Sequence, residues 1–417
     1  MNFSTPSQLT AEAAPINPRT GRPATAAQGI LLLAASSMPV LGTVLISPVL
    51  PSIGQQFGDD PAAAVLVPLI ASAPALLIGL LSPVAGLLVE RLGSKRVLLI
   101  ALVVYAVVGT APAFLNSLAP IIATRLAVGA AEAFIMTCCT ALIADYYVQH
   151  KRVRYLSLQA VVTALAATVF LALGGLLGNL GWRAPFWVYP VSLVLAVAGW
   201  LILWPVGGRS AQTAATRTRT RLSARTIAFP MAISFVAAIV LLIPIVQLPY
   251  LLVGAGTTAP GTIGLIAAIV SLATALGAFA YPVLVRFTDP AKVRIGAFVL
   301  AGVGLLAVPV APGATGIAAA MAITSLGTGS LLPGLVTWAV DAVPSSRRGQ
   351  GIGWWWASIY LGQFASPVVV VALSGVLGGL TAAVVAVGGI SIATALLLVF
   401  VRPAPRPAVS EPVAVEG

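Results

Sequence analysis

Gly86-Leu87-Leu88-Val89-Glu90-Arg91-Leu92-Gly93-Ser94-Lys95-Arg96 is the stretch on which the fold turns. It joins two apolar runs, about 63–89 and 96–115, each long enough to cross a bilayer, for which roughly 20 mostly apolar residues suffice. Gly86 lacks the side chain that would hold a neighbouring helix away. Gly93 permits a tight turn. Glu90 can pair with Arg91, Lys95 or Arg96, or approach the positive end of a facing helix. A short polar turn between two spanning helices is the unit this stretch implies.

The rest of the chain repeats that unit. Hydrophobic residues make up 59% of the 417, and charged residues only 8%. A soluble domain carries about a quarter charged residues, so a soluble enzyme is excluded, and disorder is excluded by the apolar content. Twelve runs qualify as spans, at about 29–53, 63–89, 96–115, 119–144, 156–178, 184–206, 227–253, 261–286, 294–312, 315–340, 351–376 and 380–401. Residues 1–28 read as a polar tail and 403–417 as a Pro-rich one. Cys138 and Cys139 are adjacent, a spacing that disfavours a disulfide. His150 reads as a solvated side chain in a basic loop.

The net charge of +12 raises nucleic acid as a partner, but the basic residues are sorted by loop. Twenty of the 22 lie in alternate loops and the two tails, and Arg183 lies opposite, with Arg125 inside the fourth span. This is the positive-inside pattern. It predicts cytoplasmic termini, an even number of spans and no nucleic-acid partner. The chain also looks halved. Residues 207–226, with Thr216-Arg217-Thr218-Arg219-Thr220-Arg221, read as a linker between bundles at 29–206 and 227–402. Pro48 and Pro51 in span one are matched by Pro244 and Pro249 in span seven, and Asp145 ending span four is matched by Asp341 ending span ten. Two weakly repeated six-span halves suit a rocking transporter.

The opening stretch resembles the signature of the major facilitator superfamily, Gly-x-x-x-Asp-Arg-x-Gly-x-Arg/Lys-Arg. Gly86, Arg91, Gly93, Lys95 and Arg96 match it, and Glu90 replaces the Asp with its charge kept. Its second-half counterpart is degenerate, with Tyr281 and Val285 where Gly86 and Glu90 would align. The resemblance implies an all-α fold of twelve transmembrane helices in two six-helix bundles. It implies that this loop latches one face of the molecule, with Asp145 paired to Arg91 or Arg96. Span five ends Gly174-Gly175-Leu176-Leu177-Gly178 and looks like the matching segment of drug–proton antiporters, although Ala172-Leu173 stand where those exporters usually have Gly-Pro.

Arg125-x-x-x-Gly129 resembles the family's pattern in span four, and Glu132 follows seven residues after Arg125. That spacing puts both charges on one helix face, about 10 Å apart along the axis. Each costs roughly 2.5–3.5 kcal/mol near mid-bilayer, so each should face a cavity or the other. Glu132 is the one carboxylate well inside a span. It reads either as the proton site, with Arg125 as its partner or as a contact for an anionic substrate, or as half of a static ion pair. The superfamily lines its central path with spans one, four, seven and ten. The candidates there are Ser37 and Thr43, Met136, Gln247 and Tyr250, and Thr324, Thr328 and Trp338. The run Trp354-Trp355-Trp356 reads as an interfacial belt.

No Gly-x-x-x-x-Gly-Lys-Ser/Thr loop marks an ATP-driven pump, and no acid cluster in the spans marks a metal-ion transporter. The expectation is therefore a monomeric secondary transporter of a bacterial cytoplasmic (inner) membrane. It would not be an enzyme, and would use a proton gradient with no cofactor and no metal. It would export a small drug-like or sugar-like compound by alternating access. The alternatives are uptake of a small organic anion by uniport or symport and, from another class, a non-transporting sensor or scaffold.

Overall fold

The computed structural model describes residues 23–205, 224–341 and 348–400, together with Ile16, Pro18 and Gly21. Most of the expected tails and linker, including Arg217, Arg219 and Arg221, and the side chains of Glu90 and Asp341 lie outside the described residues.

Among the described residues twelve helices are long and apolar enough to cross a membrane. They are Ala26–Gln56, Ala63–Ser82, Ser94–Phe114, Leu118–Tyr146, Gln149–Gly178 and Ala184–Ile202 in the first half. The second half has Ala228–Val246, Pro260–Phe287, Pro290–Val310, Gly313–Ala339, Ile352–Leu377 and Leu380–Phe400. Several begin outside their hydropathy boundary. Span one starts within the expected tail, where Thr25 and Gln28 close a capping box. Span five starts at Gln149 rather than near 156, so Lys151, Arg152 and Arg154 sit on its first turns and not in a loop. At 1.5 Å per residue its 30 residues outreach the hydrocarbon core, and the basic turns fall in the polar margin. His150 is exposed there, as expected, on the helix.

Proline divides the two helices that matter most. Span one is built from Ala26–Ser36, Met38–Val44, a 3-10 turn at Ser47–Val49 and Leu50–Gln56, with Pro39, Pro48 and Pro51 at the starts of the later pieces. The helical rod of span seven ends at Val246 and restarts as Leu248–Gly254, with Pro249 in its first turn. A proline has no N–H for the carbonyl four residues before it. Each break therefore leaves a carbonyl that something else must satisfy.

The halves share one packing plan. Spans two and three pack on four, and three on six; spans eight and nine pack on ten, and nine on twelve. Glycine sets the closest approaches. A side chain at Gly129 would overlap the backbone of Pro74, and one at Gly329 the backbone of Thr274. The halves meet where span five packs on eight and span two on eleven. Gly175 faces Gly264, and a Cβ on Gly175 would lie 2.7 Å from the Gly264 Cα. Asn179 Oδ1 accepts the Gly261 N–H at 2.9 Å, and the Ser47 hydroxyl donates to the Ile245 carbonyl. These three contacts lie toward the end away from the basic loops, so the molecule is closed at that end. Outward-facing side chains such as Ile100, Val107, Val194 and Ile269 stay exposed, as helices bathed in lipid require.

At the basic end the loop after span two behaves partly as read. Gly93 turns with φ +86°. Lys95 donates to the carbonyls of Trp200 and Leu203 and so caps the last turn of span six. Among the described residues, no atom from another helix comes within 4 Å of where a Cβ on Gly86 would be. Span two instead meets span eleven at Gly79, whose Cβ would lie 3.3 Å from the Ala357 carbonyl.

Candidate functional site

Arg125 sits in the middle of span four and is fully buried. Its guanidinium is divided among three acceptors. Nε donates to the Ile70 carbonyl at 3.2 Å. One terminal nitrogen donates to the Tyr189 hydroxyl at 2.8 Å, and the other donates to the Gly42 carbonyl. Two of these acceptors follow from the backbone. Pro74 offers no N–H to Ile70, four residues earlier, and Gly42 lies in the last turn of a helix that ends at Val44. The Tyr189 ring also stands 5.4 Å below the cation, and Tyr105 packs on it with centroids 5.1 Å apart. Arg125 therefore ties spans one, two and six to span four.

Glu132 is also fully buried. Neither carboxylate oxygen has a hydrogen-bond partner among the described residues. It meets span one at the same glycine as Arg125, since a Cβ on Gly42 would overlap Glu132 Oε1. One helical turn farther along, Met136 accepts the Tyr360 hydroxyl at 3.2 Å, a contact from span four to span eleven. The Tyr360 ring stacks on Trp356 at 5.7 Å and 27°. Glu132 thus lies where span four faces both the break in span one and the second half.

The other expected site residues divide. Met136 takes part in a contact between the halves; the Tyr250 ring packs against a core cluster built from both halves, and its hydroxyl is buried without a hydrogen-bond partner among the described residues. Gln247 is buried at the break in span seven, and Thr43 is half-buried beside Gly42. Ser37 donates to its own helix at Ala34. Thr324 donates to Ala320 and Ala301, and Thr328 to Ser325. Trp338 lies toward the basic end under Arg294, 4.4 Å from the cation. In the loop after span two Arg91 and Arg96 are exposed, and Asp145 is buried in the last turn of span four.

The tryptophan run is not one belt. Trp354 is 52% exposed, but Trp355 is buried and donates to Ser234 at 2.8 Å, and Trp356 stacks on Tyr360. A helix turns 100° per residue, so three consecutive side chains face three directions. Gly42, Tyr189, Tyr360 and Trp356 were missed as site residues. The carbonyl that Pro74 frees was open to discovery by counting back four positions.

The family model described as Major Facilitator Superfamily matches residues 32–258 and 228–417. The multidrug efflux protein YfmO of Bacillus subtilis (strain 168) is 27% identical over 158 residues, 38% of this chain and 38% of that protein. The chain thus aligns with well under half of that curated relative. Among solved structures, a D-xylose–proton symporter superposes with a TM-score of 0.73 at 15% identity, over 89% of this chain and 96% of the other. A bacterial homologue of the human lysosomal transporter Spinster, inward-facing and occupied, gives 0.71 at 14% identity over 89% and 96%. These two likenesses are of fold.

Proposed function

The chain belongs to the major facilitator superfamily of membrane transporters, and from that premise we propose that it exports a small organic compound in exchange for protons, with Glu132 as the proton carrier. The observation that carries this reading is a fully buried carboxyl group with no hydrogen-bond partner. An ionised carboxylate so placed accepts no hydrogen bond from the described residues to offset its desolvation, and Arg125 on the same helix is already divided among other acceptors, whereas protonation removes the charge. The conformation closed away from the basic loops is then the one that suits the protonated acid. Losing the proton makes water or a counter-charge necessary at Glu132 and favours parting of the halves. Arg125 does not need to move in this cycle, because its donors are held by Ile70, Tyr189 and Gly42.

The export direction is supported by the partial likeness to an efflux protein. The sorted basic residues support a cytoplasmic membrane with both termini inside. Uptake of an organic anion held by Arg125 gains no support from a guanidinium already divided among protein acceptors. The test is transport in liposomes under an imposed pH gradient. Glu132→Gln is expected to abolish proton-driven accumulation while retaining exchange of substrate across the membrane at saturating substrate without a gradient. Full proton-driven transport by that variant would overturn the assignment.

A further inference from the structure

The charges in the membrane interior say what kind of substrate the centre would accept. Arg125 is fully buried with its donors committed to Ile70, Tyr189 and Gly42. Arg294 lies toward the basic end over the Trp338 ring. Glu132 is the opposite case, a buried carboxyl group with both oxygens unpartnered. Arg294 has an unpartnered Nε, but it stands toward the basic end, away from Glu132. A substrate charge that enters between the halves at the depth of Glu132 therefore meets a committed guanidinium and an acid that accepts no hydrogen bond from the described residues. The pairing available is with a positive charge.

The neighbouring surface fits the body of such a molecule. Trp356 and Tyr360 are one turn apart on span eleven with their rings stacked at 27°, and aromatic faces attract cations. Opposite them is Met136, whose thioether is polarisable and adjusts to irregular shapes. It is also a weak acceptor, so the Tyr360 hydroxyl that bonds it gives up little on leaving. In the closed conformation Tyr360 rests on Met136 and fills this place; parting spans four and eleven would expose acid, thioether and rings together.

We propose that Glu132, Met136, Trp356 and Tyr360 form the recognition site for a singly charged organic cation with flat aromatic surfaces. This rests on the reading of the protein as a carrier of small organic compounds, but not on its direction or coupling. Substrate and proton would then compete for the same carboxylate.

The test is equilibrium binding to the purified full chain in a neutral detergent, with no gradient present. The probes are tetraphenylphosphonium and tetraphenylborate, which have nearly the same shape and opposite charge. Saturable binding of the phosphonium and none of the borate is expected. Glu132→Gln should weaken phosphonium binding by at least about tenfold, and Trp356→Ala or Tyr360→Ala by roughly three- to tenfold. Circular dichroism and gel filtration of each variant show that it is folded. Borate binding as tight as phosphonium binding, binding of neither probe, or undiminished phosphonium binding by Glu132→Gln would overturn the proposal. Phosphonium binding without proton-driven flux would instead sink the coupling assignment and leave this one standing.

Discussion

Arg125 and Glu132 are seven residues apart on one helix and live under opposite regimes. Replacing Arg125 by Lys keeps the charge but not the fork, and one ammonium cannot reach three acceptors on three helices. Leaving a buried acceptor unsatisfied costs about 1–3 kcal/mol, so Arg125→Lys should lower the thermal unfolding midpoint in detergent clearly. Glu132→Gln removes no hydrogen bond and should leave that midpoint nearly unchanged. Gly42→Ala should displace the Glu132 carboxyl, because the added methyl meets an oxygen that is hemmed in; impaired proton coupling with normal expression is the expected reading. Both charged residues were legible in the sequence as polar exceptions in an apolar window. The partners of Arg125 were legible only in part: Pro74 points to the Ile70 carbonyl, whereas the Gly42 carbonyl and the Tyr189 hydroxyl are brought to it by the break in span one and the packing of span six.

The elements that join the halves are broken or glycine-lined helices. At Gly175 and Gly264 the groups in the way are backbone atoms, which cannot swing aside as a side chain would. Gly264→Val should therefore wedge spans five and eight apart at a cost of about 1–3 kcal/mol. A longer distance between spin labels at Thr258 and Leu180 would report it, and an unchanged distance would show that the backbones had room. Hydropathy read the existence of all twelve spans correctly, since length and apolarity are local properties. It misplaced the start of span five by a turn or more, because helix continues where the bilayer ends. It also read the three tryptophans as one belt, because a linear run hides the 100° between neighbours.

For the molecule as a whole, orientation is the property most open to test. The two native thiols, Cys138 and Cys139, are fully buried, so single added cysteines report alone. A membrane-impermeant maleimide applied to intact cells should label Thr258→Cys, at the end away from the basic loops, and spare His150→Cys at the basic end. The reverse pattern would invert the proposed topology. The division into halves was legible in the paired prolines and in the paired acids that end spans four and ten. The closed end was not, because it depends on contacts between residues nearly two hundred positions apart, such as Ser47 and Ile245. That contact also has a genetic consequence. Ser47 serves a carbonyl that is bereft only because position 249 is proline. A strain crippled by Ser47→Ala should thus regain function through Pro249→Ala, and a selection for revertants should return that second-site change.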